Sequence, residues 1–337
     1  MLDTALPLIE AAVAERRIPG IALGAVRADG ARATAFRGDA EWQPERRPLP
    51  PDLAFDLASL TKVLFTVAEV LRLVEDGVAR LDDPLGRFLA QLDVAVRPLT
   101  LRQMLVHQAG FEPWVEFQTW TDDPARLRER LVRHSWRLGE PVYSDIGYVL
   151  LGLALEELRG RPLNDFALPP GLSWGTPPER AVTTEYCAWR GRTLRGEVHD
   201  ERAAALGGGA GHAGLFGTLD AVLDLALAYL DGSVLPPAAL AELRKPHWAE
   251  RALGWQRRHP DWSGGQACSA ETLGQTGFTG TGLWIDFTGG FAWALLSNRV
   301  HPSRERDTGI IELRRAVGEA VAQEAAQGAA VTEPAGS

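Results

Sequence analysis

The sequence predicts an α+β fold: one antiparallel sheet assembled from both ends of the chain and flanked by helices, with a mainly helical domain inserted between its halves. Three observations carry this. Near the start, IALGAVRADGARATAFRG offers two β-compatible runs around Ala28-Asp29-Gly30, and Asp-Gly supplies hairpin turn chemistry. Near the end, GLWIDF and FAWALLSN flank Thr288-Gly289-Gly290, a second hairpin. Between them, apolar residues recur at helical spacing instead of alternating. On this reading residues 1–65 begin the α/β domain, 66–215 form the helical insertion, 216–325 complete the α/β domain, and 326–337 are a disordered tail.

The elements follow in order. A helix is expected over residues 2 to 16. From Ser59, the residues Leu60, Val63, Leu64, Val67, Val70, Leu71 and Val74 share one helical stripe, and Gly77 is placed to end it. Thr100-x-x-Gln103 is a capping-box start for LRQMLVH. Ile146 to Arg159 reads as an amphipathic helix stopped by Gly160, and Thr218 caps LDAVLDLALAYL, with Gly232 beyond it. Residues 161 to 217 are rich in Pro and Gly and read as irregular loops. A last helix, about 307 to 323, carries Ile310, Leu313, Val317 and Val321 on one side.

A chain of 337 residues with 45% hydrophobic composition can bury a substantial core and accommodate two domains. Its net charge of −9 and pI near 5.4, with arginines scattered among acids, exclude the concentrated basic face that nucleic acid requires. Asp3, Glu10 and Glu15 interrupt the first apolar stretch, so it lacks the core of a secretory signal, and no later stretch is apolar enough for a membrane span. The expectation is a soluble cytoplasmic protein whose partner is a small molecule. Cys187 and Cys268 lack CxxC spacing, and the seven histidines show no H-E-x-x-H pattern, so neither a metal nor another cofactor is expected.

Candidate chemistry centres on FDLASLTKVLFT. The chain holds 35 basic residues, yet only Lys62 and Lys245 are lysines. Ser59 and Lys62 are three apart, one turn along a helix face, so hydroxyl and amine can meet. A serine hydroxyl needs a proton acceptor, and burial can lower a lysine's pKa enough to provide one, which arginine cannot do. The start of a helix also favours developing negative charge. Two further segments fit a cleft: PVYSDIGYVLLG sets Tyr143-Ser144-Asp145 just before a helix, and LGQTGFTGTGLWIDF sets Gln275-Thr276-Gly277 before a strand, where glycine would let a substrate backbone approach.

These three segments, in this order, resemble the S-x-x-K, Y-x-N and K-T-G or H-T-G motifs of the serine β-lactamase and penicillin-binding-protein superfamily, on the side of class C β-lactamases, DD-peptidases and family VIII carboxylesterases. LVHQAG, GEVHDERAAALGGGAGHAGLFGT and LLSNRVHPSRE are also similar to segments of that superfamily, so the resemblance spans nearly the whole chain. It implies a β-lactamase/transpeptidase-like fold. It also implies that Ser59 is acylated, that Lys62 accepts or relays its proton, and that Tyr143 shuttles the proton to the leaving group and later activates water. The backbone N–H groups of Ser59 and Phe278 would form the oxyanion hole. Asp145, Gln275, Thr276 and Gly277 would contact substrate. Read from its own segment, His212 in GGGAGHAGLFG either faces the substrate, where the glycines bring backbone near the cleft, or is a hydrogen-bonded structural histidine.

Two residues depart from the motifs. Asp145 stands where an amide is usual, exchanging a donor for negative charge, and Gln275 stands where a cation would attract a substrate carboxylate. Strong β-lactam hydrolysis is therefore not expected. The leading expectation is hydrolysis of small esters through an acyl-enzyme. The alternatives are an amidase or peptidase on muramyl peptides or D-amino-acid amides, as in cell-wall recycling, or a weak β-lactamase, and a catalytically idle ligand-binding relative. A competing G-x-S-x-G at Gly171 to Gly175 is set aside, because Ser173 lies among prolines instead of between a strand and a helix.

Overall fold

Both expected hairpins form, and they lie side by side in one sheet of the computed structural model, which describes residues 1–332 with side chains through Gln327. α1 (Leu6–Ala14) opens the chain and is shorter than expected. β1 (Gly20–Arg27) and β2 (Arg32–Glu41) make the first hairpin, with Gly30 at φ 86° in its turn, a conformation that glycine adopts without steric cost. Two-residue strands follow, β3 (Arg47–Pro48) and β4 (Phe55–Asp56). α2 starts as a π-helical turn at Lys62–Thr66 and continues as regular helix over Val67–Glu75, with Gly77 at φ 70° just past its end. α3 (Leu101–Leu105) carries the expected reciprocal capping box between Thr100 and Gln103. α4 (Pro124–Arg133) is capped by Asp123, and α5 (Ile146–Arg159) ends at Gly160, φ 63°.

The segment expected to be irregular contains short elements: β5 (Leu172–Trp174), β6 (Thr183–Cys187), β7 (Arg192–Arg195), α6 (Glu201–Ala205) and β8 (Leu215–Gly217). None exceeds five residues, which is too short for periodicity to declare them. Their order is set by pairing with distant strands, β4-β8-β5 in one small sheet and β6-β7 in another. Thr218 caps α7 (Leu219–Leu230) as expected, and α8 (Pro237–Arg244) follows. The last strands are β9 (Gln256–Arg257), β10 (Leu273–Thr276), β11 (Gly282–Asp286) and β12 (Phe291–Ser297). α9 (Ile310–Thr332) closes the described chain. It corrects the expected end at residue 323 and the expected disorder from 326, because its Ala-, Gln- and Glu-rich sequence sustains the helix. The rest of that expected tail, 333–337, lies outside the described residues.

The main sheet has seven strands in the order β3-β2-β1-β12-β11-β10-β9, so both chain ends build it, joined where β1 runs antiparallel to β12. One face is covered by α1 and α9, whose Ile9, Ala12, Leu313, Val317 and Val321 pack with Trp284 and Trp293. α7 lies on the other face, close enough that a Cβ on Gly24 of β1 would sit 2.6 Å from Leu223. From there the larger core continues through α2, α3 and α5. Among the described residues, no helix is long and apolar enough to cross a membrane. The third-motif strand β10 and the β4–α2 junction meet at one end of this core, and that meeting builds the site.

Candidate active site

Ser59 is delivered by a strained turn. Ala58, one residue earlier, has φ 47°, a left-handed conformation unfavourable for any residue with a Cβ. Buried Asp56 holds it there by accepting the Ala58 N–H at 2.8 Å, and it also accepts the His199 N–H at 2.6 Å. The turn is tied to the strand motif from the other side. Thr279 Oγ1 donates to the Asp56 carbonyl at 2.7 Å, and Thr281 Oγ1 donates to the Leu57 carbonyl at 3.1 Å. A Cβ on Gly277 would lie 2.7 Å from the Leu57 carbonyl oxygen and 2.2 Å from Thr281 Oγ1. The glycine is therefore required by the protein's own backbone, and it also lines the cleft. The motif precedes β11 as expected, and its Gln275 and Thr276 also end β10. Neither the Ser59 nor the Phe278 backbone N–H has a protein acceptor among the described residues.

Lys62 lies behind Ser59, fully buried. Its three N–H groups face three acceptors: Ser59 Oγ at 2.8 Å, the His212 carbonyl at 3.1 Å and Asp145 Oδ1 at 2.7 Å. Burial pushes its pKa down, but Asp145 and then Tyr143 outweigh burial, and the net direction is up. This corrects the expectation of a lysine neutralised by burial: Lys62 is held as an ammonium ion and donates to Ser59. Tyr143 lines the cleft with its ring centre 5.4 Å from Lys62 Nζ, 5.5 Å from the Arg251 guanidinium carbon and 4.2 Å from the His107 ring.

The profile of the Beta-lactamase family matches residues 7–317. The chain belongs to the Beta-lactamase family. It is 28% identical over 305 residues to the N-acetylmuramyl-L-alanine amidase of Bacillus subtilis strain 168, covering 73% of this chain and 68% of that one. Among solved structures, a class C β-lactamase from Rhodobacter sphaeroides superposes with a TM-score of 0.73 at 20% identity, covering 96% of this chain and 99% of that chain. The D-amino acid amidase of Ochrobactrum anthropi SV3 superposes with a TM-score of 0.72 at 20% identity, covering 96% and 98%. These two likenesses establish the β-lactamase/transpeptidase-like fold. Members of the Beta-lactamase family are serine hydrolases, which sets the broad class of this chain.

Against the family motifs, the two departures acquire a structural meaning. Asp145 lines the cleft, but both its oxygens are engaged within the protein: Oδ1 by Lys62, and Oδ2 by Arg202 Nη2 at 2.5 Å. Arg202 Nη2 also reaches Asp200 Oδ2 at 2.9 Å, and His212 Nε2 lies 2.9 Å from Asp200 Oδ1. Burial raises the carboxyl pKa of Asp145, but Lys62, His212 and Arg202 overcome that and hold it well below the usual range. Potential ligand atoms of Asp145, Asp200 and His212 lie within 4.8 Å of one another, yet Lys62 and Arg202 already neutralise the two carboxylates from within. The extra negative charge of this Beta-lactamase-family chain is thus built into a buried network.

Two expected substrate contacts are not on the cleft wall. Gln275 is buried on β10 and does not line the cleft, while Thr276, Gly277 and Phe278 do. The Gln275 side chain shares the face of β10 that carries Leu273 of the main core. His212 is buried too, its ring committed to Asp200 and its carbonyl to Lys62, so it supports the site from behind. Ser173 sits within β5, followed by a three-residue 3-10 turn at Pro178–Arg180 and not by the α-helix that a nucleophile elbow requires. The cleft, about 810 Å³, is lined in addition by Trp114, His199, Asp200, Arg202, Arg299 and Arg314, none of which the motifs singled out. The available signal was the run His199-Asp200-Glu201-Arg202, four polar residues in succession at a helix start, with Asp200 capping α6.

His107 adds a testable consequence. It is buried with φ 58°, and its Nδ1–H donates to the Ser144 carbonyl at 3.0 Å, linking α3 to the Tyr143 segment. Burial, then Arg251 and Lys62, push its pKa down to about 3. Its folded value thus lies below the unfolded one, so stability is full above the unfolded pKa of about 6.5 and declines as pH falls toward 3, because only the unfolded chain takes up the proton. His107→Asn, which tolerates positive φ, is expected to flatten that decline by a few kcal/mol, on the order set by such a shift. Urea unfolding at pH 7 and pH 4 measures it, and equal pH dependence in both proteins would contradict the assignment.

Proposed function

We propose that the protein is a hydrolase that forms an acyl-enzyme at Ser59 and cleaves amide bonds of small peptide-like substrates, with muramyl peptides and D-amino-acid amides as the class to test. The observation that carries this is the charged Lys62 at 2.8 Å from Ser59 Oγ, held as an ammonium by Asp145. An amine departs only when protonated, and a Lys62 that stays an ammonium leaves the Ser59 proton to travel through Tyr143 to the leaving nitrogen. The likeness to the B. subtilis N-acetylmuramyl-L-alanine amidase over 68% of its length supports the same choice, ahead of the small-ester expectation.

In this reading Ser59 Oγ attacks the carbonyl carbon. Lys62 has no lone pair to accept the Oγ proton, so the proton passes to the Tyr143 hydroxyl as Tyr143 gives its own to the leaving nitrogen, a relay of general-acid and general-base action. The free N–H groups of Ser59 and Phe278 receive the developing oxyanion. The C–N bond breaks, the amine leaves, and the acyl group remains on Oγ until water releases it. Hydrolysis of a matched ester and amide with the same acyl group tests the substrate reading. Both should be cleaved, and Ser59→Ala should abolish both. Cleavage of the ester alone would return the protein to the esterase reading.

A further inference from the structure

The cleft holds a second pair of proton-handling groups that no motif accounts for. His199, on the cleft wall, has Nε2 2.7 Å from Glu185 Oε1, and both side chains are at least 95% buried. Glu185 is clamped by Arg304, through both its backbone N–H at 2.7 Å and its guanidinium. Burial would raise the Glu185 pKa, but His199 and Arg304 hold it down at about 2, so the carboxylate is charged. A charged acceptor on Nε2 fixes the ring proton there and leaves Nδ1 with its lone pair. Nδ1 has no protein partner among the described residues, although the residue lines the cleft.

The ring is also placed by the reacting centre. The His199 backbone N–H is bound by the same Asp56 carboxylate that holds the Ala58 turn. Its ring stacks on Phe278, centroids 5.6 Å apart, whose backbone N–H is one of the two free donors. The charged groups facing it are Glu185 on β6, Asp56 on β4, Arg304 beyond β12, and its own neighbours Asp200 and Glu201. A carboxylate holding one imidazole nitrogen, with the other nitrogen free of protein partners among the described residues in a residue that lines the cleft, is the arrangement of a general base.

We propose that His199, oriented by Glu185, is the general base of the hydrolytic half-reaction, activating the water that releases the acyl group from Ser59. This rests on the acyl-enzyme reading above. Nδ1 takes a proton as the water oxygen bonds to the acyl carbon, and the imidazolium is stabilised by Glu185. The C–Oγ bond then breaks, Oγ takes a proton from Lys62 Nζ, the product acid restores the ammonium, and Nδ1 discharges its proton to solvent. Acylation thereby uses the Tyr143 side of the cleft and deacylation the His199 side.

The test is pre-steady-state turnover of p-nitrophenyl acetate by the intact protein and by the His199→Gln, Glu185→Gln and His199→Ala variants. The expected result is an undiminished first-turnover burst of p-nitrophenol, a steady-state rate lowered by about 10²-fold or more, and an acetyl group accumulating on Ser59 by intact mass and peptide mapping. Added imidazole should restore part of the steady-state rate in His199→Ala. Loss of burst and steady state together, or no change in either, would overturn the proposal and leave His199 a packing residue. Absence of acylation in the unmutated protein would remove the acyl-enzyme reading itself, and this inference with it.

Discussion

Tyr143→Phe is expected to lower kcat by about 10²–10⁴-fold, the range that general acid–base action supplies. The phenol is the one group on the cleft wall that this account places between the Ser59 proton and the leaving atom. Removing its oxygen leaves Lys62, which is hydrogen-bonded to Ser59 and the His212 carbonyl, ion-paired with Asp145 and held as an ammonium, and cannot substitute as an acceptor. The ring's packing against His107 survives the change, so stability should hold and KM should move little. The loss should be larger for amides than for esters, since an alkoxide leaves more readily than an unprotonated amine. A Tyr143→Phe variant with wild-type kcat on an amide would eliminate the relay.

Asp145→Asn is the second large effect, and it acts through Lys62. With the carboxylate gone, burial dominates and the Lys62 pKa falls, reversing the direction that Asp145 imposes. The ammonium is then lost at lower pH, so the alkaline limb of kcat/KM should move to lower pH. Arg202 keeps Asp200 as a partner, whereas Lys62 is left as an uncompensated buried cation, so stability at neutral pH should drop by about 3 kcal/mol, the order found when one member of a buried pair is removed. A pH–rate profile and urea unfolding measure both effects. An unmoved alkaline limb would show that Asp145 does not set the charge of Lys62.

Most of what was legible in the sequence was local. The Ala28-Asp29-Gly30 hairpin, the Thr100–Gln103 capping box, the Gly160 stop and the Thr218 cap are each decided within a few residues, and each forms as expected. The Ser59–Lys62 contact is of the same kind, because one helical turn fixes it. What failed was decided across distance. Of the two roles expected for Lys62, acceptor or relay, the acceptor role weighs burial without Asp145, 83 residues on and brought to 2.7 Å by the fold. Arg202 meets Asp145 across 57 residues and the His212 carbonyl meets Lys62 across 150, pairings that no periodicity announces. Gln275 was given a substrate role from its place in a motif, whereas the face of β10 it occupies puts it in the interior.

The most direct test of the central claim is the intact mass of the protein after exposure to a small fluorophosphonate, with peptide mapping and Ser59→Ala as the control. One adduct is expected, on Ser59, absent in the Ser59→Ala variant. No adduct, or one on Ser173 or another residue, would contradict it.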